Sequence, residues 1–282
     1  MKLPAPYGGG WEWLATSSDG WEQLLSELLD ALGVTGRTKR AAAAVGIWLG
    51  FTVAMVLIAA AQAAVEANCG LSGGASVGIV AVVWALWTIW HSFVFEKDRR
   101  HLLGKKFAYR QAFARDIFPG ITVGFSQMLR PALNGDVIRS NSVLPSVPRG
   151  LLEWVTATAG WLFLCLGTAL FLSAWRVLGA ARVGFVSEFL YPTSFVPVRT
   201  GPYRCVRHPL FWSGVVVSFG LALICDHPTA FAIASLNVAY GLIYNRLEDR
   251  RLVRIFGDRY AAYSKEVPRI IPTHVGLPGS RR

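Results

Sequence analysis

Two kinds of segment alternate along the chain: apolar runs too long for an ordinary core helix, and short stretches dense in arginine and lysine. Ala41 to Val65 and Gly74 to Phe95 each approach the ~20 apolar residues that a bilayer core requires, and they predict a hairpin of spans. Leu151 to Trp175 predicts a third span, with Glu153 near its start. Leu210 to Cys225 and Thr229 to Tyr244 predict a second hairpin turning at Asp226-His227-Pro228, where proline breaks the helix. Upstream, Leu24, Leu25, Leu28, Leu29 and Leu32 share one face of a surface helix over Trp21 to Leu32. The late Arg37 to Arg40 cluster argues against a signal peptide.

Phe113 to Leu133 is apolar but interrupted by Asp116, Pro119, Gly120 and Arg130, so Phe107 to Arg149 reads as re-entrant, interfacial or a poor span. Arg37 to Arg40 precede the first hairpin and Lys97, Arg99, Arg100, Lys105, Lys106 and Arg110 follow it, while Glu66 is the one charge in the loop between its legs. The positive-inside rule therefore places both hairpin ends in the cytoplasm. For Arg176, Arg199, Arg204 and Arg207 to share that side, one more crossing must lie between Phe107 and Arg149. The expectation is an all-α, polytopic membrane bundle of five or six membrane helices, with Val177 to Val198 as a surface connection. Four regions follow: a surface segment 1–40, a hairpin and interfacial region 41–149, a core 150–272, and a tail 273–282.

Composition agrees with this pattern. Of 282 residues 53% are hydrophobic and only 16% charged, too apolar for an ordinary soluble domain. A net charge of +11 would suggest nucleic acid as a partner in a soluble protein. Here the cations flank apolar runs, which points to membrane lipids and to no nucleic acid. Cys69, Cys165, Cys205 and Cys225 stand far apart without metal-ligand spacing, so neither a disulfide framework nor a metal is expected.

The chemistry concentrates in two blocks. Arg199-Thr200-Gly201-Pro202-Tyr203-Arg204-Cys205-Val206-Arg207-His208-Pro209 leads into the apolar helix from Leu210. It sets backbone donors, a cation and an imidazole at a helix entrance suited to an anion. The second block is Tyr244-Asn245-Arg246-Leu247-Glu248-Asp249-Arg250-Arg251-Leu252, followed by Phe256-Gly257-Asp258-Arg259-Tyr260, Tyr263 and Val267-Pro268-Arg269. Because the intervening hairpin is antiparallel, the two blocks return to one membrane face.

Gly-Pro-Tyr-Arg-x-Val-Arg-His-Pro-Leu-x-x-x-Gly, a hairpin, Glu-Asp and Phe-Gly-Asp-x-Tyr-x-x-Tyr resemble the C-terminal signature of the isoprenylcysteine carboxyl methyltransferase superfamily. That superfamily includes phospholipid N-methyltransferases and bacterial membrane thiol methyltransferases. The resemblance covers about residues 150 to 272. It implies an S-adenosyl-L-methionine pocket on the cytosolic face, lined by Gly201, Pro202, Tyr203, Arg207, His208, Pro209, Glu248 and Asp249. Arg207 and Glu248 are the expected catalytic residues, Arg207 toward the cofactor carboxylate and Glu248 toward its ammonium. The chain departs from the superfamily pattern at Asp249 for Glu, at Cys205 for an aromatic residue, and at Phe211 for Tyr.

The implied acceptor is lipophilic or small: an isoprenoid or prenylcysteine-like carboxylate first, then a thiol or a phospholipid amine. The arginines at 246, 250, 251 and 254 keep open a membrane NADPH-dependent reductase of the sterol type, and a non-catalytic transport or assembly protein is a third reading. Trp90-His91-Ser92 is similar to a His-Ser pair of the thiol-methylating branch, but His91 reads first as a capping or interface residue. His227 reads as structural. Tyr260 and Tyr263 are expected to pack the last helix on the membrane rather than to touch a cofactor.

Overall fold

The computed structural model describes residues 26–97, 99, 106–143, 150–190 and 197–270. Leu24 and Leu25 of the first apolar face, Tyr191-Pro192 and the tail 273–282 lie outside the described residues. Among the described residues every regular element is helical.

The first membrane hairpin pairs α1 (Arg37–Asn68) with α2 (Gly73–Ile89), which continues through π-helical turns at Trp90–Phe95. After α3 (Lys106–Ala112), a π-helical turn at Phe113–Ile117 leads into α4 (Phe118–Leu129) and then the single turn of α5 (Gly135–Arg139). α6 (Leu151–Leu178) is followed by the short α7 (Ala180–Val183) and α8 (Val186–Leu190). The C-terminal hairpin is α9 (Pro209–Cys225) and α10 (Pro228–Phe256), capped by α11 (Asp258–Glu266).

Among the described residues three helices are long and apolar enough to cross a bilayer: α1, α2 with its π-helical extension, and α6. Their polarity is inverted relative to a soluble helix. Val45, Leu49, Val53 and Leu57 recur every fourth residue on α1, all more than half exposed, the stripe a lipid-facing helix presents. Burial runs instead along small residues. Gly160 and Gly167 of α6 meet Gly220 and Ser213 of α9 backbone to backbone, and a methyl at Gly160 would lie 2.9 Å from the Gly220 carbonyl oxygen. Such contact is how helices associate where lipid removes the hydrophobic drive.

Glu66 is not a loop residue. It sits in the last turns of α1, fully buried, where its carboxylate accepts from Arg130, from Ser76 Oγ at 2.8 Å and from Gly135 N at 3.0 Å. The Arg130 that interrupts the apolar pattern is thus the partner of that charge. Tyr109, Ala112 and Ile117 instead pack with Leu28, Phe95 and Phe189 at the opposite end. The helical run Lys106–Leu129 therefore links the packing around Tyr109 and Ile117 to the Arg130–Glu66 pair.

The C-terminal hairpin turns as expected. Asp226 closes α9 in the left-handed region with φ 45°, and His227 Nδ1 accepts from Thr229 N at 3.3 Å. Pro228 then occupies the first turn of α10, where its missing N–H is not needed. A buried polar knot fixes the four helices around the interior: Asn237 of α10 accepts from Trp84 Nε1 of α2 at 2.9 Å. Its Nδ2 donates to Ser218 Oγ of α9 at 2.8 Å and to the Gln127 carbonyl of α4 at 3.2 Å.

Candidate active site

The loop before α9 is shaped by its own residues. Gly201 takes φ +54°, which glycine alone enters without strain, and opens one 3-10 turn over Gly201–Arg204. Arg207 N donates to the Pro268 carbonyl at 3.0 Å, tying the loop to the chain after α11. His208 then stands at the N-cap of α9 and Pro209 at its first position.

Glu248 and Asp249 lie on α10, and successive helical residues point about 100° apart, so the two carboxylates serve different partners. Glu248 accepts from Arg251 Nε at 2.9 Å and from Arg251 Nη2 at 2.7 Å, and lies 3.2 Å from His91 Nε2. Arg251 also donates to Glu188 of α8 at 2.6 and 3.1 Å. Two carboxylates therefore share one guanidinium. Asp249 has the opposite surroundings. It receives Arg207 Nη1 at 3.0 Å and Arg269 Nε at 2.8 Å, and also bonds His208 Nε2 at 2.9 Å and the Tyr260 hydroxyl at 2.8 Å.

Burial by itself raises a carboxyl's pKa, and the partners overcome it at both sites. Arg251 and His91 hold Glu248 well below the ordinary carboxylate range, and His208, Arg269 and Tyr260 hold Asp249 at about 2. Both stay ionised at neutral pH.

Two cavities meet at this cluster. An outer groove of about 870 Å³ is lined by His91, Arg207, Glu248, Asp249 and the arginines of α10. An inner cavity of about 240 Å³ runs from Tyr203, His208 and Tyr260 to Trp84, Gly124, Phe125 and Met128. Arg207, Tyr244 and Glu248 line both. The Nε of Arg207 is buried without a hydrogen-bond partner. The aromatic wall is dense: Trp84 stacks on Tyr240 with centroids 3.8 Å apart, and Trp87 stacks on His91 at 5.1 Å.

The structure thus gathers Tyr203, Arg207, His208, Glu248 and Asp249 at the cavities. Gly201, Pro202 and Pro209 line neither; they set the turn and the helix start. His91 is not a cap or interface residue: it is 3% exposed, against Glu248, within the π-helical turns that end α2. Tyr260 and Tyr263 do not pack on the membrane either. Their hydroxyls donate to Asp249 and to the Tyr203 carbonyl, and both rings line the inner cavity. Tyr spacing after Phe-Gly-Asp was the available signal for these two. Glu188 and the Trp84-Trp87 pair carried none, because α2 and α8 reach the site only through tertiary packing; Asn245 lies within the block around Glu248-Asp249, whose pattern gives it no role.

Residues 155–259 match the model of a family described as phospholipid methyltransferase. Among curated proteins, methanethiol S-methyltransferase of Pseudomonas deceptionensis is 33% identical over 79 residues, 28% of this chain and 29% of that protein. The Mycobacterium tuberculosis protein of the same name is 29% identical over 99 residues, 35% of each chain. The Crocosphaera subtropica one is 28% identical over 113 residues, 40% of this chain and 43% of its own. The chain spans between 29% and 43% of the length of these relatives. No solved structure matches. The resemblance to membrane methyltransferases, read from the sequence, is thereby shown.

Proposed function

We propose that the protein is an integral membrane enzyme that transfers a methyl group from S-adenosyl-L-methionine to a small thiol. The observation that carries this reading is the paired electrostatics of the site. Glu188 and Glu248 share Arg251, whereas Asp249 stands between Arg207 and Arg269. Within these two bonded sets, carboxylates outnumber the guanidinium around Arg251, and guanidinium groups outnumber the carboxylate around Asp249. That polarity complements a zwitterionic amino acid, with its ammonium beside Glu248 and its carboxylate beside Arg207, whose Nε has a hydrogen bond to give.

The cofactor, when bound, supplies an electrophilic methyl on a sulfonium sulfur. The residues of this chain supply alignment and a dry wall: methyl transfer is a direct displacement, and positioning accounts for ~7–11 kcal/mol in favourable cases. Trp84, Phe125 and Met128 close the membrane end of the inner cavity, a lining suited to a small apolar acceptor. A thiol stands first because the curated relatives carry that acceptor in their names; the prenylcysteine-like carboxylate and the phospholipid amine follow. We read α4, α9 and the first half of α10 as completing six membrane helices of a bacterial inner membrane, with the site on the cytoplasmic face, the side that the positive-inside rule favours for its arginines.

The reductase reading weakens at Arg251, which is 3% exposed and held by two carboxylates rather than offered to a phosphate. Calorimetric titration of detergent-purified protein with S-adenosylhomocysteine and, separately, NADPH tests both. Micromolar binding of the homocysteine compound, with label transferred from S-adenosylmethionine to methanethiol and not to phosphatidylethanolamine or a prenylcysteine, is the expected result. Binding of NADPH alone overturns the methyltransferase reading, and transfer to the lipid or the prenylcysteine instead replaces the acceptor.

A further inference from the structure

Asn245 presents an anomaly that the site described so far does not use. It is 0% exposed, and among the described residues it alone leaves both polar atoms of a buried side chain, Oδ1 and Nδ2, without a partner. A buried polar group left unsatisfied costs ~1–3 kcal/mol, so a carboxamide with neither end bonded is a poor choice for a purely structural position. Leucine would fill the same space at less cost. Arg130 Nε and Gln127 Oε1 are also unpartnered, but neither residue lines either cavity, whereas Asn245 lines the inner one.

Its place in the fold narrows what it meets. Asn245 lies one turn before Glu248 on α10, about 4.5 Å further into the bundle along the helix axis. The aromatic rings of Phe211 and Tyr244, 5.9 Å apart, line the same cavity. A flat ligand group reaching inward from the Arg207–Glu248 mouth meets aromatic faces and one carboxamide. A carboxamide offers a donor and an acceptor side by side, the complement of the adenine edge, where the exocyclic amine donates and a ring nitrogen accepts.

We infer that Asn245 is the residue that reads the adenine ring of the cofactor. The inference rests on the methyltransferase reading and adds to it a nucleobase-recognising position on α10, one turn inward of Glu248.

The test compares wild type, Asn245→Leu and Asn245→Asp in the full-length detergent-solubilised chain. Thermal unfolding without ligand and calorimetric titration with S-adenosylhomocysteine and with 5′-methylthioadenosine are both measured. Methylthioadenosine keeps the nucleoside and lacks the amino-acid end. Asn245→Leu is expected to unfold at a higher temperature than wild type without ligand, yet to bind both compounds about ten- to a hundredfold more weakly, by a similar factor for each. Asn245→Asp, which accepts but does not donate, should also bind both more weakly than wild type.

Two outcomes overturn the inference: unchanged binding of both compounds by Asn245→Leu, or weakening confined to S-adenosylhomocysteine. Failure of wild type to bind S-adenosylhomocysteine is a different result. It removes the methyltransferase reading itself, and this inference with it.

Discussion

Two buried charge clusters sit at opposite ends of the bundle, and they teach different things. At one end Glu66 of α1 pairs with Arg130 after α4, both wholly buried, with Ser76 and Gly135 completing the carboxylate's bonds. At the other end Glu248 and Asp249 hold Arg251, Arg207, Arg269 and two histidines. Both clusters join helices distant in sequence. Of the two, only the second lines the outer groove and the inner cavity described above, so that among these clusters it is Arg207, with its unpartnered Nε, that belongs to a cavity wall. Burial of an ion pair therefore marks a join between helices. Burial beside a cavity, with a donor to spare, marks a site.

The comparison breaks most sharply at Arg130. Arg130→Ala leaves Glu66 buried and uncompensated, a loss of about 3–5 kcal/mol. Thermal unfolding in detergent should show it, while the surviving folded fraction binds S-adenosylhomocysteine as wild type does; loss of affinity in that fraction would make the far cluster part of the site.

Arg207→Ala should do the reverse. Asp249 keeps His208, Arg269 and Tyr260, so the fold survives. S-adenosylhomocysteine affinity should drop by the equivalent of roughly 2–5 kcal/mol, typical of truncating a buried hydrogen-bonded charge. Titration curves that coincide with wild type would sink the assignment of the carboxylate to this residue.

A paired replacement sharpens the contrast. Glu66→Leu with Arg130→Met removes both charges, and such exchanges are often neutral or stabilising by ~1–4 kcal/mol. Retained activity and stability are expected in a membrane-based methyl transfer assay, and collapse of the double variant would show that the far cluster does more than join helices.

The smallest effect belongs to Tyr263→Phe, which deletes the hydroxyl bond to the Tyr203 carbonyl. About 0.5–1.5 kcal/mol of stability should be lost, and the loop from Gly201 should exchange amide hydrogens faster. Unchanged exchange there would show that other contacts hold the loop.

Much of the architecture was legible in the chain. Long apolar runs gave the first hairpin and α6, because the bilayer imposes length and polarity on any helix that crosses it. Asp226-His227-Pro228 gave the turn between α9 and α10, since a left-handed residue and a first-turn proline mark helix ends locally. The stretch from Phe107 to Arg149 was not legible, because Arg130 counts against a span until its partner Glu66 is known. His91 was weighed as a cap for the same reason: nothing near it in sequence announces Glu248, 157 residues away.

What the sequence by itself determined, then, is local or periodic: which segments are helical and apolar, where they turn, and that Arg207-His208 and Glu248-Asp249 return to one face. Tertiary structure alone decided that those adjacent carboxylates divide, Glu248 toward Arg251 and His91, Asp249 toward Arg207 and Arg269. It also decided that α2 and α8 supply His91 and Glu188. The reason is physical: helical periodicity fixes the direction of a side chain relative to its own axis, and only the packing of other helices fixes what that direction meets.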